Sequence, residues 1–414
     1  MNKRTLFTLL LLLFTAGIGH GTLIARSAEK NTGEADFYWK NPEVRKGLYV
    51  APAIPGDTSS PATLYLAGRK FCAAGTNCYE LFNGSLARTD AGYRIDPAPA
   101  FAALDELRKQ GVGVVRFNCG VYYAAEIAAY AEHRDEYIEA LRQVAAYAQK
   151  LEIGLIPSLF WHHATLPDYF GEPFGAWGKA DSRTVGFMQS YTREVVDALK
   201  GYKSIFAWEW GNEFNLQADL PNWQEMFRRE DPANRIMGDD VIFAFRTFAR
   251  TVGERDPDGR LLLSGNATLR PCQYHLYAEG SWDTDDEEQY RTIAGSFNPE
   301  PIRSVSEHVY EQGREFAGRG RVSLGEQVAA AMDAARRLGK VYVVGEYAGV
   351  LDSEREYRKY FDAFLDNGVQ LTLIWNFSPS GLTEHSFTAG SERGECIFRL
   401  LREYNAKCRP DDMP

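Results

Sequence analysis

Eight short apolar runs recur along this chain, and most lead into a segment with helical apolar spacing. They are Phe71–Asn77, Val112–Asn118, Ile153–Phe160, Ile205–Trp210, Leu261–Ser264, Val305–His308, Val341–Gly345 and Leu371–Trp375. Their composition predicts strands buried on both faces, which is the signature of a parallel sheet. Between them, Phe101, Leu104 and Leu107 mark one helix face, and Ile138, Leu141, Ala145 and Ala148 a second. Further helices are predicted over Val185–Leu199, through Val241, Phe245, Phe248 and Val252, through Val328, Met332 and Ala335, through Tyr357, Phe361 and Phe364, and over Ile397–Tyr404. Ser323 with Glu326 and Ser353 with Glu356 read as capping boxes that open two of them. Alternation of this kind predicts an α/β fold, and eight units predict closure into a (β/α)8 TIM barrel with long βα loops, Trp161–Lys179 and Gly265–Ile302.

The chain of 414 residues is 45% hydrophobic, enough for one large barrel, and no shift of composition divides it. Lys3 and Arg4 precede the apolar run Leu6–Ile18, with small residues through Ala28. Residues 1–28 are therefore expected to be a signal peptide, with a secreted or periplasmic destination. Residues 29–61 form an expected extended lead-in, 62–408 the catalytic domain and 409–414 a C-terminal tail. A net charge of −10 leaves no footprint for nucleic acid. Once the leader is removed no membrane partner is expected, and the domain is expected to act as a monomer. Six cysteines in an exported chain predict disulfides, with the pairing open among Cys72, Cys78, Cys119, Cys272, Cys396 and Cys408. None of them has the spacing of a zinc site. The acidic run Asp283–Glu288 reads as solvated surface.

Polar residues gather at one end of the predicted strands, the end where such barrels carry their chemistry. Asn77 and Tyr79 close the first strand, and Arg116 lies near the end of the second. His162 and His163 follow the third, Asn212 and Glu213 the fourth, His308 and Tyr310 the sixth and Glu346 the seventh, while Trp375 lies on the eighth. Two carboxyls at the ends of strands four and seven are what a retaining glycosidase needs. Glu209 is expected to point away from Trp208 and Trp210 and is given no catalytic role. Aromatic residues, 13% of the chain, are mostly expected in the core, with several in a sugar groove; Trp161, Trp177 and Trp282 are loop candidates for that use.

The segments AAGTNCY, GVVRFN, AWEWGNEFN, SEHVY, VVGEYAG and LIWNF together resemble glycoside hydrolase family 5, whose cellulases and β-mannanases are retaining enzymes. The resemblance spans Phe71 to about Trp375. It implies Glu213 as acid/base, Glu346 as nucleophile and Asn212 as a ligand of the sugar 2-hydroxyl. It further implies that Arg116 and Tyr310 hold the nucleophile, that His308 tunes the acid/base, and that Trp375 floors the cleavage subsite. His162, Asn77 and Tyr79 join these as candidate substrate contacts. Phe214 stands where the family often has proline, and the third strand ends in Trp161-His162-His163 where the family usually has one functional histidine. The expected activity is endo-cleavage of β-1,4-mannan or β-1,4-glucan without cofactor or metal. Three alternatives are an exo-acting β-glycosidase, an inactive carbohydrate-binding barrel, and a metal-dependent hydrolase using His162, His163, His275 and His308.

Overall fold

The computed structural model describes residues 37–51, 61–89, 92–310 and 312–408. The expected signal peptide and C-terminal tail lie outside the described residues. The chain divides into two compact units, Met1–Arg45 and Lys46–Pro414, and in the first of them residues 37–40 form a helical turn.

In the second unit, eight parallel strands build the barrel: β1 (Ala73–Asn77), β2 (Val114–Asn118), β3 (Gly154–Phe160), β4 (Ala207–Gly211), β5 (Leu261–Leu263), β6 (Ser304–Val309), β7 (Val341–Tyr347) and β8 (Leu371–Ile374). Backbone pairing runs β5-β4-β3-β2-β1-β8-β7-β6. The remaining seam, between β5 and β6, is bridged by two side-chain hydroxyls and one backbone amide. Ser304 Oγ donates to the Leu262 carbonyl at 2.7 Å, and beyond the strand ends the Thr268 amide and hydroxyl both donate to the His308 carbonyl.

Strand alternation sorts the side chains. On β4, Trp208 and Trp210 face the helices. Trp208 Nε1 donates to Asp256, and the Trp210 ring packs against Phe214 and Phe245. Glu209, between them, faces the barrel interior and meets Arg116. On β6, Glu307 points outward and takes hydrogen bonds from the hydroxyls of Tyr290 and Tyr342, while His308 points inward. The parity changes on β7. Glu307 pairs with Val344 but His308 pairs with Glu346, so Gly345 is skipped. This bulge brings Glu346 to the inner face one residue after Gly345. A Cβ on Gly345 would come within 2.9 Å of the His308 ring, so glycine leaves room for that imidazole.

Part of the lead-in, Leu48–Val50, is a strand that pairs antiparallel with Leu64–Leu66. The Leu48 amide donates to the Phe206 carbonyl and the Leu64 amide to Gln370, which places this small sheet at the N-terminal ends of β4 and β8. Two expected loops carry helices. Gly265–Ile302 contains Gln273–Glu279 and Glu287–Ser296, and Trp161–Lys179 contains Thr165–Phe170. The acidic run is not simply solvated. Asp285 is buried and accepts the amides of Tyr274 and His275 and the His275 ring. Asp286 caps the second helix in a box with Gln289.

Cys72 and Cys408 form a disulfide across 336 residues, while Cys78, Cys119, Cys272 and Cys396 are free thiols. The bond ties the start of β1 to the end of the last helix, Glu392–Lys407, where Asn405 also exchanges two hydrogen bonds with the Ala74 backbone. First and last units of the barrel are thus fastened together. Cys408→Ser is expected to cost about 2–4 kcal/mol in a denaturant titration. A loss under about 0.5 kcal/mol would show that the noncovalent contacts suffice.

Candidate active site

Arg116, 0% exposed on β2, organises the interior beneath the barrel mouth. Its Nε donates to Glu209 Oε1 at 2.7 Å and its Nη1 to Glu346 Oε1 at 2.6 Å and Asn77 Oδ1 at 2.9 Å. Its Nη2 donates to Asn212 Oδ1 at 2.8 Å, and Trp161 covers the guanidinium, 4.8 Å from its ring centre. A buried cation needs such compensation, and a planar fork of donors can reach all four partners at once. Because Asn212 Oδ1 is occupied by Arg116, its Nδ2 amide hydrogens are left for the cleft that Asn212 lines.

Glu346 is held from its other oxygen too, since the Tyr310 hydroxyl donates to Oε2 at 2.6 Å. Burial raises the Glu346 carboxyl and the neighbouring Glu213 adds to the rise, while the charge of Arg116 and the hydrogen bond from Tyr310 work against it. Glu213 sits in the left-handed region at φ 58°, just beyond β4. Its amide donates to the Gly265 carbonyl, and Asn215 clamps the Ala267 backbone through both ends of its side-chain amide. The β4 and β5 loops are therefore locked together. Gly265 itself has φ +68°, and a Cβ there would meet the Gly211 carbonyl at 1.8 Å.

Burial raises Glu213, and the more distant Arg116 opposes it. His308 Nδ1 lies 2.9 Å from Glu213 Oε1 and 3.5 Å from Glu346 Oε1. Burial pushes this imidazole down to about 4, so it is neutral near neutral pH. With its proton on Nδ1, His308 donates to one oxygen of Glu213 and leaves the other to carry a transferable proton. Oxygens of Glu213 and Glu346 lie within 4.8 Å of one another. The two carboxyls compete for ionisation. Arg116, bonded to Glu346 and not to Glu213, favours the ionised form of Glu346 over that of Glu213.

Above them opens a cleft of about 660 Å³ lined by both carboxyls, Tyr79, Tyr122, Tyr123, Trp161, His162, His163, Asn212, Tyr310 and Trp375, among others. Three expected substrate contacts do not reach it. Asn77, Arg116 and His308 are buried behind its wall, because strand alternation turns them into the barrel interior. Asn77 spends its Nδ2 on the carbonyls of Gly345 and Leu373 and its Oδ1 on Arg116. His162 and His163 both line the cleft, and His163 also packs against Phe174 and Phe227, with its pKa driven to about 3 by burial. Trp161 belongs to the cleft, whereas Trp177, 1% exposed, packs on Trp210 and Phe214. Trp282 is 52% exposed but lies outside the cleft lining.

Sequence reasoning placed Glu209 opposite Trp208 and Trp210, as it lies, but gave it no part in the site, and it passed over Asn215. Glu209 had a signal in its parity against two tryptophans; Asn215 had none, because its partner lies 52 residues away. The four histidines of the metal reading are not brought together, since His275 is bonded to Asp285 away from the mouth. Among the described residues, the group spaced closely enough to hold a cation is Glu213, His308 and Glu346.

A family model described as cellulase (glycosyl hydrolase family 5) matches residues 76–381. A search of curated proteins finds no match. Among solved structures, the chain is similar to the endo-1,4-β-mannanase from Rhizomucor miehei, at 12% identity and a TM-score of 0.59, over 84% of this chain and 98% of that one. It is also similar to the endo-β-1,4-mannanase from Thermotoga petrophila (16%, TM-score 0.54, 82% and 78%) and to the β-mannanase from Mytilus edulis (14%, TM-score 0.54, 89% and 98%). At these identities the likeness establishes the fold, a (β/α)8 barrel.

Proposed function

Since the chain belongs to glycosyl hydrolase family 5, we propose that it cleaves β-1,4-linked polysaccharide by double displacement, with Glu346 as nucleophile and Glu213 as acid/base. The observation that carries this reading is the approach of the two carboxyls to within 4.8 Å between oxygens, in unlike surroundings. Retaining enzymes hold the pair ~5–5.5 Å apart, whereas inverting enzymes need ~6.5–9.5 Å to admit a water. Glu346, bonded to Arg116 and Tyr310, is kept ionised and aimed. Its carboxylate attacks the anomeric carbon while Glu213 gives its proton to the departing glycosidic oxygen. In the second step water attacks the same carbon, Glu213 takes the water's proton, and the bond to Glu346 breaks.

Asn212 offers its amide hydrogens to a sugar hydroxyl, and Trp375 offers a ring face to the pyranose. Three β-mannanases share the fold, which makes mannan the first polymer to try and β-1,4-glucan the second. The leader-like residues 1–28 fit action outside the cytoplasm. The test is hydrolysis of mannan, glucomannan, a soluble cellulose derivative and xylan, with the anomer of the first product followed by NMR. A β-product from one polymer supports the reading; an α-product sinks double displacement. Release of single sugars from chain ends alone would point instead to exo action.

The pH profile follows from the same pair. Activity needs Glu346 ionised and Glu213 protonated, so kcat/KM should be bell-shaped. Because burial raises Glu213, the alkaline limb should lie above the ordinary glutamate pKa. In Glu213→Ala, assayed on an aryl glycoside with a good leaving group, that limb should vanish from the glycosylation step. An unchanged alkaline limb would assign it to another group.

A further inference from the structure

The loop leaving β2 carries a β-branched residue, Val121, at φ 53°, a conformation such side chains rarely adopt. It is held there from several sides. The Gly120 amide donates to Asn118 Oδ1 at 3.0 Å, and the Tyr191 hydroxyl donates to the Cys119 carbonyl. The amides of Tyr122 and Tyr123 both donate to Glu126 Oε2, at 2.5 Å and 3.2 Å. The Thr165 hydroxyl donates to the Tyr122 carbonyl. Glu126 is itself buried, and no step at the two carboxyls uses it. Backbone strain that its surroundings over-determine collects at ligand contacts.

What the loop delivers is a pair of tyrosines in the cleft. Tyr123 is 58% exposed, and its ring stands edge-on to Tyr122 at 4.2 Å. Tyr122 in turn meets Tyr79 at 5.9 Å, Tyr79 meets Trp161 at 5.1 Å, and Trp161 meets Trp375 at 6.1 Å. Rings thus run without a break from Trp375 on β8's end to Tyr123. Flat apolar faces with polar edges are what a pyranose needs, and an exposed, rigidly based ring loses little entropy on contact.

We propose that Tyr122 and Tyr123 form a distal sugar subsite, one that takes a β-linked pyranose unit away from the two carboxyls, with Glu126 as the positioning residue that fixes it. The proposal rests on the reading of the cleft as a glycosidase site and makes the substrate an oligosaccharide or polymer rather than a disaccharide.

The test is calorimetric binding of mannobiose, mannohexaose, cellobiose and cellohexaose to the Glu346→Gln protein, with hydrolysis by wild type run in parallel. Affinity should rise from disaccharide to hexasaccharide in the better-bound series. Adding Tyr123→Ala should weaken hexasaccharide binding roughly three- to tenfold and shrink the length ratio by the same factor. Tyr123→Phe should restore the ratio, because the ring face is kept. Glu126→Ala should shrink it as Tyr123→Ala does. An unchanged ratio in Tyr123→Ala, equal losses at both lengths, or no binding of either series would overturn the subsite. An unchanged ratio in Glu126→Ala would remove Glu126 from it. Length-dependent binding without hydrolysis by wild type would instead sink the glycosidase reading and leave the subsite standing.

Discussion

Glu346→Gln is expected to lower kcat/KM on the preferred polymer by on the order of 10⁴-fold or more, the scale of losing a covalent nucleophile. The amide keeps the shape of the carboxyl but cannot attack the anomeric carbon. Its oxygen can still accept from Arg116 or Tyr310, so folding should survive. The buried Arg116 would keep Glu209 as its counter-charge. The variant should therefore show wild-type circular dichroism and a thermal midpoint within a few degrees, with turnover lost. Residual activity above about one per cent would show that another group attacks or that water does so directly. Loss of activity accompanied by unfolding would mean only that the carboxyl is structural.

Arg116→Met should be the most damaging single change to the fold at the barrel mouth. It leaves Glu209 and Glu346, both buried, without their cation. Removing one partner of a buried ion pair typically costs about 3–5 kcal/mol, because the orphaned charge must be protonated or hydrated. Asn77 and Asn212 lose their partner at the same time. The catalytic effect has a sign. Without the guanidinium the Glu346 pKa rises, so the acid limb of the pH profile should move to higher pH. Arg116→Lys should recover part of the stability but not the rate, since one ammonium cannot reach every acceptor in the plane. Chemical denaturation and a pH–rate profile check both parts. A stability change under about 1 kcal/mol would show that the carboxylates are paired by other means.

Much of this architecture could be read before any coordinates. The eight runs were visible because parallel barrel strands are buried on both faces, as β3 and β7 are over all seven residues, and so are mostly apolar. Glu213, Asn212 and Glu346 could be picked out because a carboxyl or amide next to such a run is conspicuous. The helices inside Gly265–Ile302 were missed although Asp286 and Gln289 carry a capping-box pattern there, because short polar helices lack a long apolar face.

Local residue chemistry, in which each backbone segment answers mainly to its own side chains, was enough for the eight strands, most of the helices between them and the end of the strands where polar residues gather. Contacts between distant segments settled the rest. Whether Asn77, Arg116 and His308 touch sugar or stand behind the wall depends on strand register and on who fills the interior. Glu346 reaches the mouth through a bulge at Gly345 that arises only when β7 pairs with β6. Cys72 chose Cys408 over its near neighbour Cys78 because the first strand and last helix meet when the barrel closes. Such outcomes are set by the free energy of packing the whole chain, and no stretch of sequence read alone contains it.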